Sequence, residues 1–331
     1  MPCGEPSCRS QPGDGRGFTL LEMLVSVAIL GLLMVLLSSA YNQSLIVFKR
    51  SSSQMQVFQN ARAGFEVMVR QLNQSVLNSY WDYDNPATPT AYLRKSWLVF
   101  VSGRASTILG AAYGPGQTVF FQAPAGLLDD PAVRQLNLIL NTCGFYIQRG
   151  DANKPSPGFM NLPTRNRYRL MQLQTSGERM TVYANRADNS WITGEVGSSR
   201  VVAENVVMLV VRPISSVTKG TPPVAEIVDL AGSDYLYDTR TGETTVPQPV
   251  TANQLPPLVE LTMVAVTEES MLRHGLTEGY VFSSGEVDAL FQTPSDYGNS
   301  MDAFEGILKR EKLDYRIFRQ QISLPNSKWS N

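Results

Sequence analysis

The residues best placed to do chemistry lie near the N-terminus: Gly17, Phe18 and Glu22 within "RGFTLLEMLVSVAILGLLMVLL" (16–37). A carboxylate inside an apolar run costs about 2 to 3 kcal/mol at mid-membrane and less near an end, so Glu22 calls for a compensating cation. Material for catalysis is thin elsewhere. His274, in "SMLRHGLTEG", is the only histidine, and any Ser/His/Asp or Cys/His unit would have to use it; it reads as a surface or loop residue. Cys3 and Cys8 precede the apolar run and Cys143 follows it. No Cys/His cluster has metal-ligand spacing, and removing the N-terminal peptide would leave no intrachain disulfide.

Weaker candidates each have a plainer reading. "GAAYGPGQT" (110–118) lacks the lysine and following helix of a phosphate loop and reads as a turn. Asp82 and Asp84 with Asn85, or Asp234 with Asp238, carry the oxygen ligands a hard cation takes, and read first as solvated turn acids. Trp81, Tyr83, Trp97 and Trp191 are candidate interface anchors, with core packing the default. No catalytic residue, metal or cofactor is expected.

The elements that must position Gly17, Phe18 and Glu22 begin with the run itself. From Phe18 to Leu37 Glu22 is the only charge. As a helix the run spans roughly 30 Å, the thickness of a bilayer core. Three readings compete. A secretory signal would be cut near Ala40, where Ser38 and Ala40 give a small-x-small pattern, although such peptides carry positive charge where Glu22 sits. A plain anchor leaves Glu22 unexplained. Flanking charge does not orient it, because Arg9 and Arg16 precede the run while Lys49 and Arg50 follow.

The third reading uses every odd feature. "GFTLLEMLVSVAILGLL" resembles the N-terminal signature of type IV prepilins and of the pseudopilins of type II secretion systems: glycine, cut, aromatic, then glutamate fifth. The resemblance implies a leader over 1–17, cleavage by prepilin peptidase between Gly17 and Phe18, and methylation of the new Phe18 amine. Glu22 of one subunit would then neutralise the Phe18 amine of its neighbour, a pairing favourable in a low-dielectric helix bundle where either charge alone is costly. At the cut, a residue without Cβ lets the peptidase approach the backbone. The partners implied are the peptidase, other pilin- or pseudopilin-like subunits and the inner membrane, with the head on the extracytoplasmic side.

Behind the membrane segment (18–40) the chain continues without proline to Pro86. Val57, Phe58, Ala61, Phe65, Met68, Val69, Leu72, Val76, Leu77 and Tyr80 recur at helical spacing, opposite Gln56, Arg62, Glu66, Arg70 and Gln74. An amphipathic continuation over 41–85 is expected, making a rod from Thr19 to Tyr80 of about 90 Å, with Ser51 to Ser53 as a local break.

Beyond Pro89 short strands alternate with Gly/Pro/Asn turns, at 96–103, 117–124, 136–149, 167–175, 180–185, 201–214, 258–270 and 313–325. Loop-rich insertions fall near 150–166 and 215–257, the second with a hairpin expected around "RTGE". Residues 271–312 read as helical, with Ser284 and Asp302 as caps. The fold class is α+β: a long N-terminal helix, half membrane and half amphipathic, packed on a mainly antiparallel head spanning 90–331. "ARAGFEVMVRQL", "ENVVMLVVRPI" and "LVELTMVAV" resemble the minor subunit pseudopilin J. "QLPPLVELTMVAVTEES" and "YLYDTRTG" resemble the prepilin-like Verru_Chthon cassette protein C group. Composition is that of an ordinary globular protein: 331 residues, 17% charged, net charge −1. That balance leaves no basic stripe for nucleic acid.

Overall fold

The computed structural model describes residues 19–130, 138–151, 159, 166–219, 224–273 and 284–329. These fall into two units, one ending at Ser53 and one beginning at Gln54. Most of the expected insertion at 150–166 lies outside the described residues, as do Gly17, Phe18 and His274.

Helix α1 runs over Leu20–Asn73. It passes through Ser51–Ser53 without the expected break, although the boundary between the units falls there. Its end comes earlier than the hydrophobic periodicity predicts. Gln74 and Ser75 close a turn on the carbonyls of Gln71 and Leu72, and the Val76 amide donates to Gln122 O instead of continuing the helix. A cluster of Asn and Ser residues (Asn73, Ser75, Asn78, Ser79) offers the backbone side-chain partners that compete with helical bonds. Asn78 shows how: its Oδ1 accepts from the amides of Trp97 and Leu98.

The second unit contains two antiparallel sheets and a separate two-stranded hairpin. The hairpin pairs β1 (Tyr80–Tyr83) with β2 (Tyr92–Lys95). The six-stranded sheet uses β3 (Val101–Arg104), β4 (Gln117–Pro124), β5 (Leu140–Asp151), β6 (Asn166–Thr175), β7 (Arg200–Glu204) and β10 (Tyr237–Asp238), in the order β10-β3-β4-β5-β6-β7. The four-stranded sheet orders β12 (Tyr315–Ser323), β11 (Leu258–Val266), β8 (Val206–Lys219) and β9 (Val224–Asp229) as β12-β11-β8-β9. Strand β8 lies against β4, β5 and β6, so the two sheets share one core. The overall class is the expected α+β.

Several strands differ from expectation for local reasons. Residues 96–100 join no ladder and bend at Trp97 and Leu98, their amides bonded to side chains of Asn78, Gln122 and Thr239. The segment 180–185 is a turn, with Ala184 and Asn185 both donating to Thr181 O. The run 201–214 is split by Asn205 at φ 59, a left-handed conformation that Asn tolerates better than most, so the chain changes sheets there. No hairpin forms around "RTGE": β9 pairs with β8 and β10 pairs with β3.

Short helices complete the unit: α2 (Ala105–Ile108), α3 (Ser190–Thr193), α4 (Glu268–Arg273), α5 (Ser284–Asp288) and α6 (Tyr297–Arg310). Asp302 lies inside α6 and does not cap it; Asp296 occupies the cap position, without a side-chain bond. Helix α6 buries Tyr297, Met301, Phe304 and Leu308, and the Tyr297 hydroxyl bonds Thr262 Oγ1 on β11 at 2.6 Å.

The amphipathic face of α1 is as the spacing predicts. Ala61, Phe65, Met68 and Leu72 are buried, while Gln56, Arg62, Glu66, Arg70 and Gln74 are exposed. Phe65 meets Phe318 of β12 at 5.9 Å between ring centroids, and Gln71 accepts from Gln172 of β6 at 2.7 Å. Gly64 faces β7 so closely that a Cβ there would lie 3.0 Å from Ala203 Cβ and 3.2 Å from Val202 Cγ1. Gly64→Leu is therefore expected to force helix and strand apart and to destabilise the head by about 1 to 3 kcal/mol, read as a lowered denaturant midpoint with unchanged slope. A midpoint within error of the parent would show that the contact can relax without cost. Cys143, fully buried on β5, has its thiol pushed up to about 12 by burial, which makes it an inert core residue.

Candidate functional site

The N-terminal end of α1 carries a local device that the residue pattern spelled and periodicity alone overlooked. Thr19 precedes the helix, and its backbone N–H and its hydroxyl each donate to Glu22 Oε2 at 2.9 Å. In return the Glu22 amide donates to Thr19 Oγ1 at 3.2 Å. Thr-x-x-Glu at a helix start is a capping box, in which two otherwise orphaned amides are satisfied reciprocally. The acid also lies where the helix dipole favours negative charge. Glu22 thus has a use within its own chain, in addition to any pairing with another subunit.

Every residue from Thr19 to Lys49 is exposed, including Leu20, Leu24, Val27, Leu30, Leu33 and Leu37. The apolar side chains emerge on all sides of the helix, which leaves no polar face for water. Among the described residues this is the one helix long and apolar enough to cross a membrane. Serines within it do not interrupt it: Ser26 and Ser44 return their hydroxyls to the carbonyls of Glu22 and Ala40. An apolar surface of this kind is stable in lipid or against other helices.

A family model, the prokaryotic N-terminal methylation motif, matches residues 15–38. The matched residues include Gly17, Phe18, the Thr19–Glu22 cap and the whole apolar run to Leu37. The match supports a type IV prepilin-like protein, and with the apolar helix it is consistent with a membrane-anchored one. The motif implies processing by a prepilin peptidase and assembly with other pilin subunits, and it points to a structural, non-enzymatic subunit. The head lies beyond the matched residues. Searches among curated proteins and among solved structures found no match.

The other candidates are engaged within the fold. Asp84 accepts from the Thr90 hydroxyl and from the amides of Thr90 and Ala91, which hold its carboxyl well below the usual range. Asp82 accepts from Lys95 Nζ at 2.9 Å, and Asn85 closes the turn through Ala87 and Thr88. Asp234 and Asp238 do not share a site: the first pairs with Arg104 and the second with Arg240. Residues 110–116 form a turn containing a cis Gly114–Pro115 bond, and Gln117 and Thr118 already belong to β4. Of the aromatic candidates Trp191 is core, whereas Trp81, Tyr83 and Trp97 are exposed.

Proposed function

We propose that this chain is a non-enzymatic minor pilin- or pseudopilin-like subunit, cleaved after Gly17, methylated on the amine of Phe18, and assembled through its N-terminal helix into a type IV pilus or type II secretion-like apparatus. The observation that carries the reading is the coincidence, within residues 15–38, of the methylation motif with a helix whose side chains are exposed and apolar on every side. Residues 18–40 serve as the membrane and filament-core segment, and the head is extracytoplasmic. Glu22 has two partners in succession: its own Thr19 in the monomer, then the Phe18 amine of a neighbour in the assembly. A resemblance to pseudopilin J and to the Verru_Chthon cassette group favours a low-copy position. A head of this size crowds a continuous filament, so the tip or an initiating complex is the natural place for it.

The alternative is a secreted domain whose signal peptide is cut near Ala40. It is disfavoured because the helix passes through Ala40 unbroken, with Ser44 bonded back to its carbonyl. Protease sites need an extended, accessible strand of chain. N-terminal sequencing of the protein recovered from its host separates the readings. The expected product is methyl-Phe18; a Tyr41 terminus would favour the secreted domain, and an intact Met1 would sink both. Prepilin-like proteins are expected to co-purify with it.

A further inference from the structure

The hairpin of β1 and β2 stands outside both sheets and presents an aromatic face. Its register sets Trp81 opposite Arg94 and Tyr83 opposite Tyr92. Residues two apart on a strand share a face, so these four side chains are on one side of the hairpin. Trp81 and Tyr92 are each 64% exposed, a large aromatic area to leave in water. The arrangement is held rigid. Tyr83 and Tyr92 rings are 5.0 Å apart, and the Arg94 guanidinium lies 5.7 Å from the Trp81 ring. That guanidinium is itself fixed by donating to the carbonyls of Pro249, Val250 and Ala252.

Beside Trp81 opens a cavity of about 160 Å³ lined by Ser79, Tyr80, Trp81, Arg94, Gln254 and Lys328. It is smaller than the roughly 300 to 1,000 Å³ of pockets that enclose drug-sized ligands, and suits one ring or the end of a chain. Gln254 is only 3% exposed, yet neither its Nε2 nor its Oε1 has a hydrogen-bond partner. Each orphan costs about 1 to 3 kcal/mol. The backbone around it is fully engaged: Asn253, at φ 51, bonds Thr239 O through its amide and Arg94 O through its side chain, and receives the Ser79 hydroxyl on its carbonyl. A left-handed residue locked by its neighbours beside an unsatisfied buried amide marks a site prepared for something else.

We propose that this face binds a saccharide, with a pyranose ring stacked on Trp81 and its hydroxyls received by the Gln254 amide. The chemistry selects the ligand. Gln254 offers a donor and an acceptor side by side, and a sugar carries hydroxyls that both give and receive hydrogen bonds. A proline-rich peptide, the other usual occupant of aromatic grooves, has backbone N–H donors only at its non-proline residues and so matches the paired donor and acceptor of Gln254 less well. The cavity wall holds two cations, Arg94 and Lys328, and no acid, so a sugar bearing a carboxylate is preferred.

The test is titration calorimetry and saturation-transfer NMR on the full chain in an amine-oxide detergent, since glycoside detergents would compete. Oligogalacturonate is the probe, with a proline-rich peptide as comparison. Oligogalacturonate is expected to bind, and Trp81→Ala to weaken it at least tenfold. Gln254→Leu should weaken binding similarly while leaving the thermal midpoint unchanged or raised, because the orphaned amide is gone. A merely structural glutamine would show no such split. Absence of saccharide binding, binding indifferent to both substitutions, or the peptide binding there in its place overturns the proposal.

Discussion

Glu260→Ala is expected to lower the stability of the head by about 3 to 5 kcal/mol, the cost of removing one partner from a buried ion network. Glu260, the third residue of β11, is 2% exposed. Its Oε2 accepts from Arg212 Nη1 at 3.0 Å across the β8 pairing, and its Oε1 from Arg319 Nε at 2.7 Å on β12. Arg212 also grips Asp229 of β9 with two bonds, at 2.5 and 3.0 Å. One chain of charges therefore crosses the four-stranded sheet from β12 to β9. Both guanidiniums lie over the Tyr297 ring, Arg212 at 5.3 Å and Arg319 at 4.9 Å from its centroid, so α6 is tied to the same network.

Deleting the carboxylate leaves two cations facing one ring with a single acid, Asp229, at the far end. Arg319, more than half exposed, can swing into water, whereas Arg212 cannot. The loss therefore falls on β8 and α6 more than on β12. Glu260→Gln keeps the shape and one acceptor and should cost less than Ala. Thermal unfolding monitored by circular dichroism is the measurement, with a fall in midpoint of about 6 to 15 °C expected for a head of this size. A loss below about 1 kcal/mol would place the network with exposed surface pairs, which contribute little.

Glu260 also shows where sequence reasoning stops. "LVELTMVAV" reads as a strand because it is β-branched and apolar, and β11 forms there. Nothing in its own pattern says that the one acid within it is buried, since that depends on Arg212 and Arg319 arriving from strands far along the chain. The helix face was legible for the opposite reason: Ala61, Phe65, Met68 and Leu72 repeat with the period of their own element. Boundaries failed where a long-range partner replaced a local one. Val76 left the helix for Gln122, and residues 96–100 took side chains in place of a ladder.

Turns around left-handed residues were likewise hidden, because Asn205 and Asn253 look like any other loop asparagine until φ is known. At the candidate site Gly17, Phe18 and Glu22 stood out by type and spacing, as did the aromatic Trp81 and Tyr83. Arg94 and Gln254 did not. Their roles arise from a hairpin register, from a loop some 160 residues away, and from the lack of side-chain partners at Gln254, which belong to the folded chain and not to the residue types.

Substitutions at Glu22 are expected to separate its two possible employments. In the monomer its carboxylate closes the Thr19 capping box, a bond worth about 0.5 to 2 kcal/mol that a neutral glutamine can largely reproduce. Between subunits only the charge can neutralise a Phe18 amine. If the charge governs assembly, Glu22→Gln and Glu22→Ala both lose incorporation while cleavage proceeds, and Thr19→Ala, which keeps the acid, still assembles. If the cap governs, Gln behaves as the parent and Thr19→Ala is as defective as Glu22→Ala. Gly17→Glu is the upstream control and should abolish cleavage altogether, since it places a charged side chain at the bond to be cut. The readouts are the processed fraction on a gel and the amount recovered with partner subunits. The expected result is the charge pattern, because a cap secures only the first turn of a helix that its apolar environment already favours, whereas an amine left without its acid among packed helices must stay charged at a cost or give up its proton.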